Sequence, residues 1–159
     1  VYVCGHSNGA AMTERILKHM PEVFAAASPA GSAYGDHAKM REIAMPPYGP
    51  KEGVRIPVWY WKGEYDVGYG CAFEPGTSNY EQIKLWCGVN GANFNAPHQY
   101  QNGYYHNRIY KDATGAPVVK YTTISGMVHS YTPEMAYMVW DEFFCQYTRN
   151  ASGEIVFAG

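Results

Sequence analysis

The sequence predicts an α/β fold, a mostly parallel sheet with flanking helices. Three observations predict it. Short apolar runs closed by glycine alternate with segments of helical period. A Gly5-His6-Ser7-Asn8-Gly9 run stands between the first apolar run and the first helix. The composition, 47% hydrophobic and 16% charged over 159 residues, suits one packed domain rather than a disordered chain.

The elements follow in order. Residues 1–4 read as the end of a buried strand. Residues 8–20 turn helical: Met12, Ile16 and Met20, with Leu17 beside them, give an apolar side, while Thr13, Glu14, Arg15 and Lys18 take the other and Pro21 ends the helix. Residues 23–28 are a short strand closed by Pro29 and Gly31. Residues 32–56 have little periodicity apart from a turn of helix near 37–43. Residues 57–62 form a third strand ending at Gly63. Residues 79–89 form a helix with Ser78 as its cap and Ile83, Trp86 and Cys87 on one side. Residues 88–107, crowded with Asn, Gly and Tyr, read as an irregular loop. Residues 104–111 and 117–124 pair around the turn sequence 112–115. Residues 126–131 are a loop, and Thr132-Pro133-Glu134 opens a last helix with Met135, Val139 and Phe143 as its stripe.

Several function classes find no support. The net charge is −2 with scattered signs, so nothing suggests a nucleic-acid surface. No apolar run approaches the roughly 18 residues of a membrane span. Cys4, Cys71, Cys87 and Cys145 form no C-x-x-C pair, so no zinc site is expected. Cys4 reads as a small core residue, and a disulfide among the other three would suit an exported protein. The sequon at Asn150-Ala151-Ser152 is too short a pattern to place the chain outside the cell. No phosphate loop or dinucleotide fingerprint is present, so no cofactor is expected. The 15 Tyr and 4 Trp are a surplus. Such rings can stack on sugars or aromatic esters, although any single one is more readily a core residue.

Gly-x-Ser-x-Gly between a strand and a helix is a nucleophile elbow. A strand that turns abruptly into a helix strains the serine backbone and exposes its hydroxyl, and Gly5 and Gly9 leave room where side chains would collide. The helix N-terminus then faces the site, and the Asn8 backbone N–H becomes an oxyanion donor. Serine needs a base and an acid downstream, in the order Ser, Asp or Glu, His. Asp66 follows the strand 57–62 and His129 follows the strand ending near Ile124, both just past C-terminal strand ends. In this scheme His129 takes the proton of Ser7 and Asp66 orients His129. Glu64 is the rival acid, but Asp66 lies further into the loop; Asp36 comes too early and Asp112 belongs to a hairpin turn. Among the other histidines, His6 adjoins the serine and cannot fold back as its base, His19 lies on a polar helix side, and His98 and His106 sit in the Asn/Gly-rich loop.

The run Gly5-His6-Ser7-Asn8-Gly9-Ala10-Ala11-Met12 resembles the elbow of α/β-hydrolase esterases that include polyhydroxybutyrate depolymerases and feruloyl or acetylxylan esterases. Gly126-Met127-Val128-His129-Ser130, Pro133-Glu134 and Trp140-Asp141-Glu142-Phe143-Phe144 resemble their histidine loop and final helix. The resemblance implies a secreted or periplasmic serine carboxylesterase that needs no cofactor. Its expected substrates are acyl esters of plant polysaccharides, or hydroxyalkanoates. A peptidase with the same triad and an inactive carbohydrate-binding relative are the alternatives. No nucleic-acid or membrane partner is expected. Such hydrolases carry about four strands before the elbow and a glycine-rich loop with a second oxyanion donor. Residues 1–159 are therefore expected to be a single partial domain, the C-terminal part of an α/β-hydrolase fold. They should have an exposed apolar edge at the elbow strand and little activity alone.

Overall fold

The computed structural model describes residues 1–31, 51–66 and 71–159. The helical turn expected near 37–43, and Asp36, lie outside them. In chain order the elements are β1 (Tyr2–His6), α1 (Asn8–His19), β2 (Ala26–Ala30), β3 (Val58–Gly63), α2 (Ser78–Asn90), β4 (His98–Asn102), β5 (Tyr105–Tyr110), β6 (Val119–Ile124), α3 (Pro133–Glu142), β7 (Tyr147–Arg149) and β8 (Ile155–Phe157). The first six strands form one sheet in the order β1-β2-β3-β6-β5-β4. β1, β2, β3 and β6 run parallel, and β5 and β4 are added antiparallel at one side. The four parallel strands therefore end at the same edge, with β1 as a border strand among the described residues.

The core lies on both faces of this sheet. On one face Leu17 of α1 and Ile83 and Trp86 of α2 pack with Val58, Tyr60 and Tyr121. On the other, Met135 and Val139 of α3 and the following Phe143 pack on Trp59 and Trp61. Alternation along β3 explains this division, since successive side chains point to opposite faces. The Trp59 and Trp61 rings stack at 4.4 Å, and their N–H groups donate to Thr122 Oγ1 and Ser28 Oγ, so burial leaves neither polar group unmatched. These rings are core, not part of an aromatic substrate loop.

Several expectations need correction. α1 buries Ala10, Thr13, Glu14, Leu17 and Lys18, whereas Met12 and Met20 are exposed. A strict four-residue spacing drifts around a helix of 3.6 residues per turn; the buried set keeps the 3-and-4 alternation. Its polar ends are accommodated locally: Thr13 Oγ1 donates to the Gly9 carbonyl, and Glu14 lies beside the Tyr60 hydroxyl, which accepts from Trp86 Nε1 at 2.7 Å. β2 begins three residues late because Pro21–Val23 form a 3-10 turn. Thr77, not Ser78, caps α2, accepting from the Tyr80 N–H.

β4 and part of β5 occupy the expected irregular loop; the His98–Asn102 run, polar apart from Tyr100, has no apolar alternation because β4 is an exposed edge strand. Cys4 is exposed on border strand β1, and all four cysteines are free thiols. The β7–β8 ribbon was not anticipated. Arg149 ties it down by donating to the carbonyls of Phe24, Pro21 and Arg55.

The loop before β3 is locked to α2 by Asn90. This fully buried amide accepts from the Ile56 N–H at 3.0 Å and donates to the carbonyls of Ile56 at 2.8 Å and Trp86 at 2.9 Å. Asn90→Ala orphans two buried backbone groups of Ile56 and should cost on the order of 2–4 kcal/mol. The check is urea denaturation: the midpoint should fall with an unchanged slope, and an unmoved midpoint would contradict this role.

Candidate active site

Ser7 stands between β1 and α1 with φ 58° and ψ −118°, the one non-glycine residue at positive φ among those described. Such a conformation costs roughly 1–3 kcal/mol and must be held by its surroundings. Two contacts do so: the Ser7 N–H donates to the Ala30 carbonyl at the end of β2, and the Ser7 carbonyl accepts from Ala11 N–H in the first turn of α1. A Cβ on Gly5 would collide with the Gly9 carbonyl, so the sharp turn requires glycine there. Gly9 differs from expectation, because open space surrounds the position its Cβ would take. Asn8 is the first residue of α1 and is exposed. Its backbone N–H belongs to the first turn, where helical amides have no intrahelical acceptor.

The loops after β3 and β6 meet the elbow. Glu64 N–H donates to the Ile124 carbonyl at 3.0 Å, Tyr65 N–H to the Met127 carbonyl at 2.9 Å, and Gly126 N–H to Glu64 Oε2 at 2.7 Å. Gly63 lies so close beneath Met127 and Val128 that a Cβ would strike both carbonyls. This clasp sets Asp66 against His129. Asp66 Oδ1 is 2.5 Å from His129 Nδ1, and His129 Nε2 is 2.8 Å from Ser7 Oγ. Asp66 is buried while the imidazole keeps a quarter of its side-chain surface exposed.

The structure thus brings Ser7, Asp66 and His129 together, with Asn8 adjoining. It puts Glu64 elsewhere, as the staple between the two loops. His19 and His98 are exposed away from the series, and His106 Nε2 is bonded to Ser125 Oγ at 2.8 Å.

Two neighbours lie beside the series: Lys62, which the sequence reading missed, and His6, which it weighed only as a base. Lys62 is a buried lysine whose Nζ lies 3.5 Å from Asp66 Oδ2, placing a positive charge beside the carboxylate. A charge inside an otherwise apolar strand, four residues before an acid, was the available signal. His6 packs its ring 4.6 Å from that of His129 and 6.0 Å from Tyr131, and its Nε2 is buried without a hydrogen-bond partner among the described residues. Among the described residues no group of three His, Cys, Asp or Glu side chains is arranged to hold a metal ion.

A parallel sheet with flanking helices, and a Ser-His-Asp series at the C-terminal edge of its strands, define a domain of the α/β-hydrolase type. Comparison with known proteins agrees at the level of fold. An acetyl xylan esterase from Aspergillus awamori superimposes with a TM-score of 0.63 at 24% identity, over 88% of this chain and 58% of that one. In sequence, the chain is 29% identical over 152 residues to poly(3-hydroxyalkanoate) depolymerase C of Paucimonas lemoignei, covering 81% of this chain and 34% of that protein. The chain therefore spans about a third of the length of that relative. No protein-family model matches it.

His6 gives a pH signature. Burial, then the neighbouring His129, lower its proton affinity below the ordinary value of 6.5, outweighing the opposite pull of Asp66. The unfolded chain takes up this proton near 6.5 and the folded chain only at lower pH. Unfolding therefore binds a proton in that window, and stability is lost as pH falls through it. Urea midpoints measured from about pH 7.5 to about pH 5 should drop more steeply for the native protein than for His6→Asn. Equal slopes would contradict the assignment.

Proposed function

We propose that this chain carries the nucleophile, base and acid of a serine carboxylesterase: Ser7, His129 and Asp66. The observation that carries the reading is the continuous hydrogen-bonded series from Ser7 Oγ through His129 to buried Asp66. Ser7 Oγ attacks the acyl carbonyl carbon while His129 Nε2 takes the hydroxyl proton, and Asp66 stabilises the resulting imidazolium. The negative oxygen of the tetrahedral intermediate lies towards the N-terminus of α1, where the Asn8 N–H donates to it. Collapse expels the alcohol, which receives the proton from His129. Water then attacks the acyl-enzyme with His129 again as base, releasing the acid and restoring Ser7.

Similarity supports the choice of substrate class. One relative is an acetyl xylan esterase and the other a depolymerase of poly(3-hydroxyalkanoate), so both bear names of ester-cleaving enzymes. The preferred substrates are acetyl or feruloyl esters of plant polysaccharides. The depolymerase likeness favours a second reading, hydrolysis of hydroxyalkanoate esters. An extracellular or periplasmic location, which the resemblance implies, belongs to the proposal. So does a longer parent enzyme, whose further strands and second oxyanion donor would complete the domain.

A fluorophosphonate probe applied to the intact protein should label Ser7, and Ser7→Ala should abolish labelling. Asp66→Asn should lower kcat by on the order of 10⁴-fold with the fold intact, because the histidine loses its orienting partner. Labelling that survives in Ser7→Ala, or an Asp66→Asn enzyme of native activity, would end the proposal.

A further inference from the structure

His6 is the last residue of β1 and directly precedes Ser7, so one short run of backbone presents both to His129. The Ser7 hydroxyl meets Nε2 of that imidazole, and the His6 ring lies against it, with centroids 4.6 Å apart and planes at 35°. His6 Nε2 is buried and has no hydrogen-bond partner among the described residues, a state that costs free energy and that a phenyl ring would avoid. A Cβ on Gly31, just past the end of β2, would lie 3.0 Å from His6 Nε2 and 3.2 Å from Asp66 Oδ2. The bare glycine, at φ 59°, therefore lets the imidazole and the carboxylate close in on one point.

We propose that His6 is a positioning residue for His129: uncharged, it holds that imidazole on Ser7 and Asp66, and charged, it draws Asp66 away. This deepens the esterase reading above and rests on it. The two carboxylate oxygens have separate neighbours. Oδ1 meets His129 Nδ1, while Oδ2 faces Lys62 Nζ at 3.5 Å and the notch at Gly31 where His6 Nε2 ends. A neutral His6 leaves this arrangement in place and walls one side of the His129 ring. A protonated His6 becomes a charged donor aimed at the same carboxylate. It also sets a positive charge against the ring that must itself become an imidazolium when Ser7 gives up its proton. Both effects oppose the reaction.

Among the described residues, the titratable groups around His6 are Asp66 and Lys62 from β3 and its loop, and His129 and Tyr131 from the loop after β6. Burial, then His129, hold the proton affinity of His6 below the ordinary 6.5; Asp66 pulls the other way and Lys62 adds to the lowering. Burial pushes the Tyr131 hydroxyl up, so it brings no charge. His6 is therefore uncharged at neutral pH, where the series stays joined, and takes up its proton only on the acid side.

The test compares the intact protein with His6→Phe, which keeps a ring and removes the proton site. Two protons then shut the native site at acid pH, and one shuts the variant's. Below the pH at which His6 charges, kcat/KM for p-nitrophenyl acetate should fall about tenfold more per pH unit in the native protein than in His6→Phe. A second arm needs no catalysis: NMR of the histidine rings in Ser7→Ala. The low-field His129 Nδ1 proton should fade in step with the charging of His6, and should persist to lower pH when His6→Phe is added. If no ester is turned over yet that resonance follows His6, the esterase reading fails and the positioning contact stands. Parallel acid limbs, or a low-field proton indifferent to the charging of His6, would overturn the proposal. The resonance is read with His6 in place, so this arm decides the outcome even where His6→Phe does not fold.

Discussion

The hydrogen-bonded clasp between the loops that follow β3 and β6 sets the geometry on which the site depends. Asp66 and His129 are far apart in sequence, and each lies on a loop free to wander if its strand end were its sole anchor. The contacts of Glu64 and Tyr65 with Ile124, Met127 and Gly126 bind the loops along their length. Gly63 permits the close approach. With the loops joined, the imidazole has little choice of position. It sits on Asp66 at one nitrogen and on Ser7 Oγ at the other.

The parallel sheet provides the second constraint. β1, β3 and β6 end at one edge, so the loops after them converge without long excursions. The elbow adds strain at Ser7, held by Ala30 and by the first turn of α1. Beneath these loops the core is made of large rings with matched polar groups, such as Trp59 with Thr122 and Trp86 with Tyr60. A rigid base of this kind supports the three loops that bring Ser7, Asp66 and His129 together. Lys62 adds a buried positive charge beside Asp66, so the carboxylate is not isolated in its apolar surroundings.

Much of this was legible in the sequence because local chemistry and global position agree there. The elbow stands out through its spacing, and Asp66 and His129 through their places past strand ends. Ile83, Trp86 and Cys87 mark the buried side of α2, and Met135 and Val139 that of α3, because apolar residues carry the helical period. The reading failed where polar residues do the packing. Thr13, Glu14 and Lys18 are buried in α1, Thr13 bonded within the helix to Gly9 and Glu14 set against Tyr60 of a distant strand. Likewise β4, polar apart from Tyr100, lies at an edge, and hydropathy gives no alternation to detect. Lys62 and His6 gain significance only when distant loops meet beside them.

The central claim is that one proton lies between His129 Nδ1 and Asp66 while the other nitrogen faces Ser7. Proton NMR of the intact protein tests it directly, since a short, charge-assisted hydrogen bond shifts its proton far downfield. The account predicts one such resonance in the native protein, present in Ser7→Ala and absent from both His129→Ala and Asp66→Asn. A spectrum without it, or with a resonance that persists unchanged in Asp66→Asn, would contradict the account.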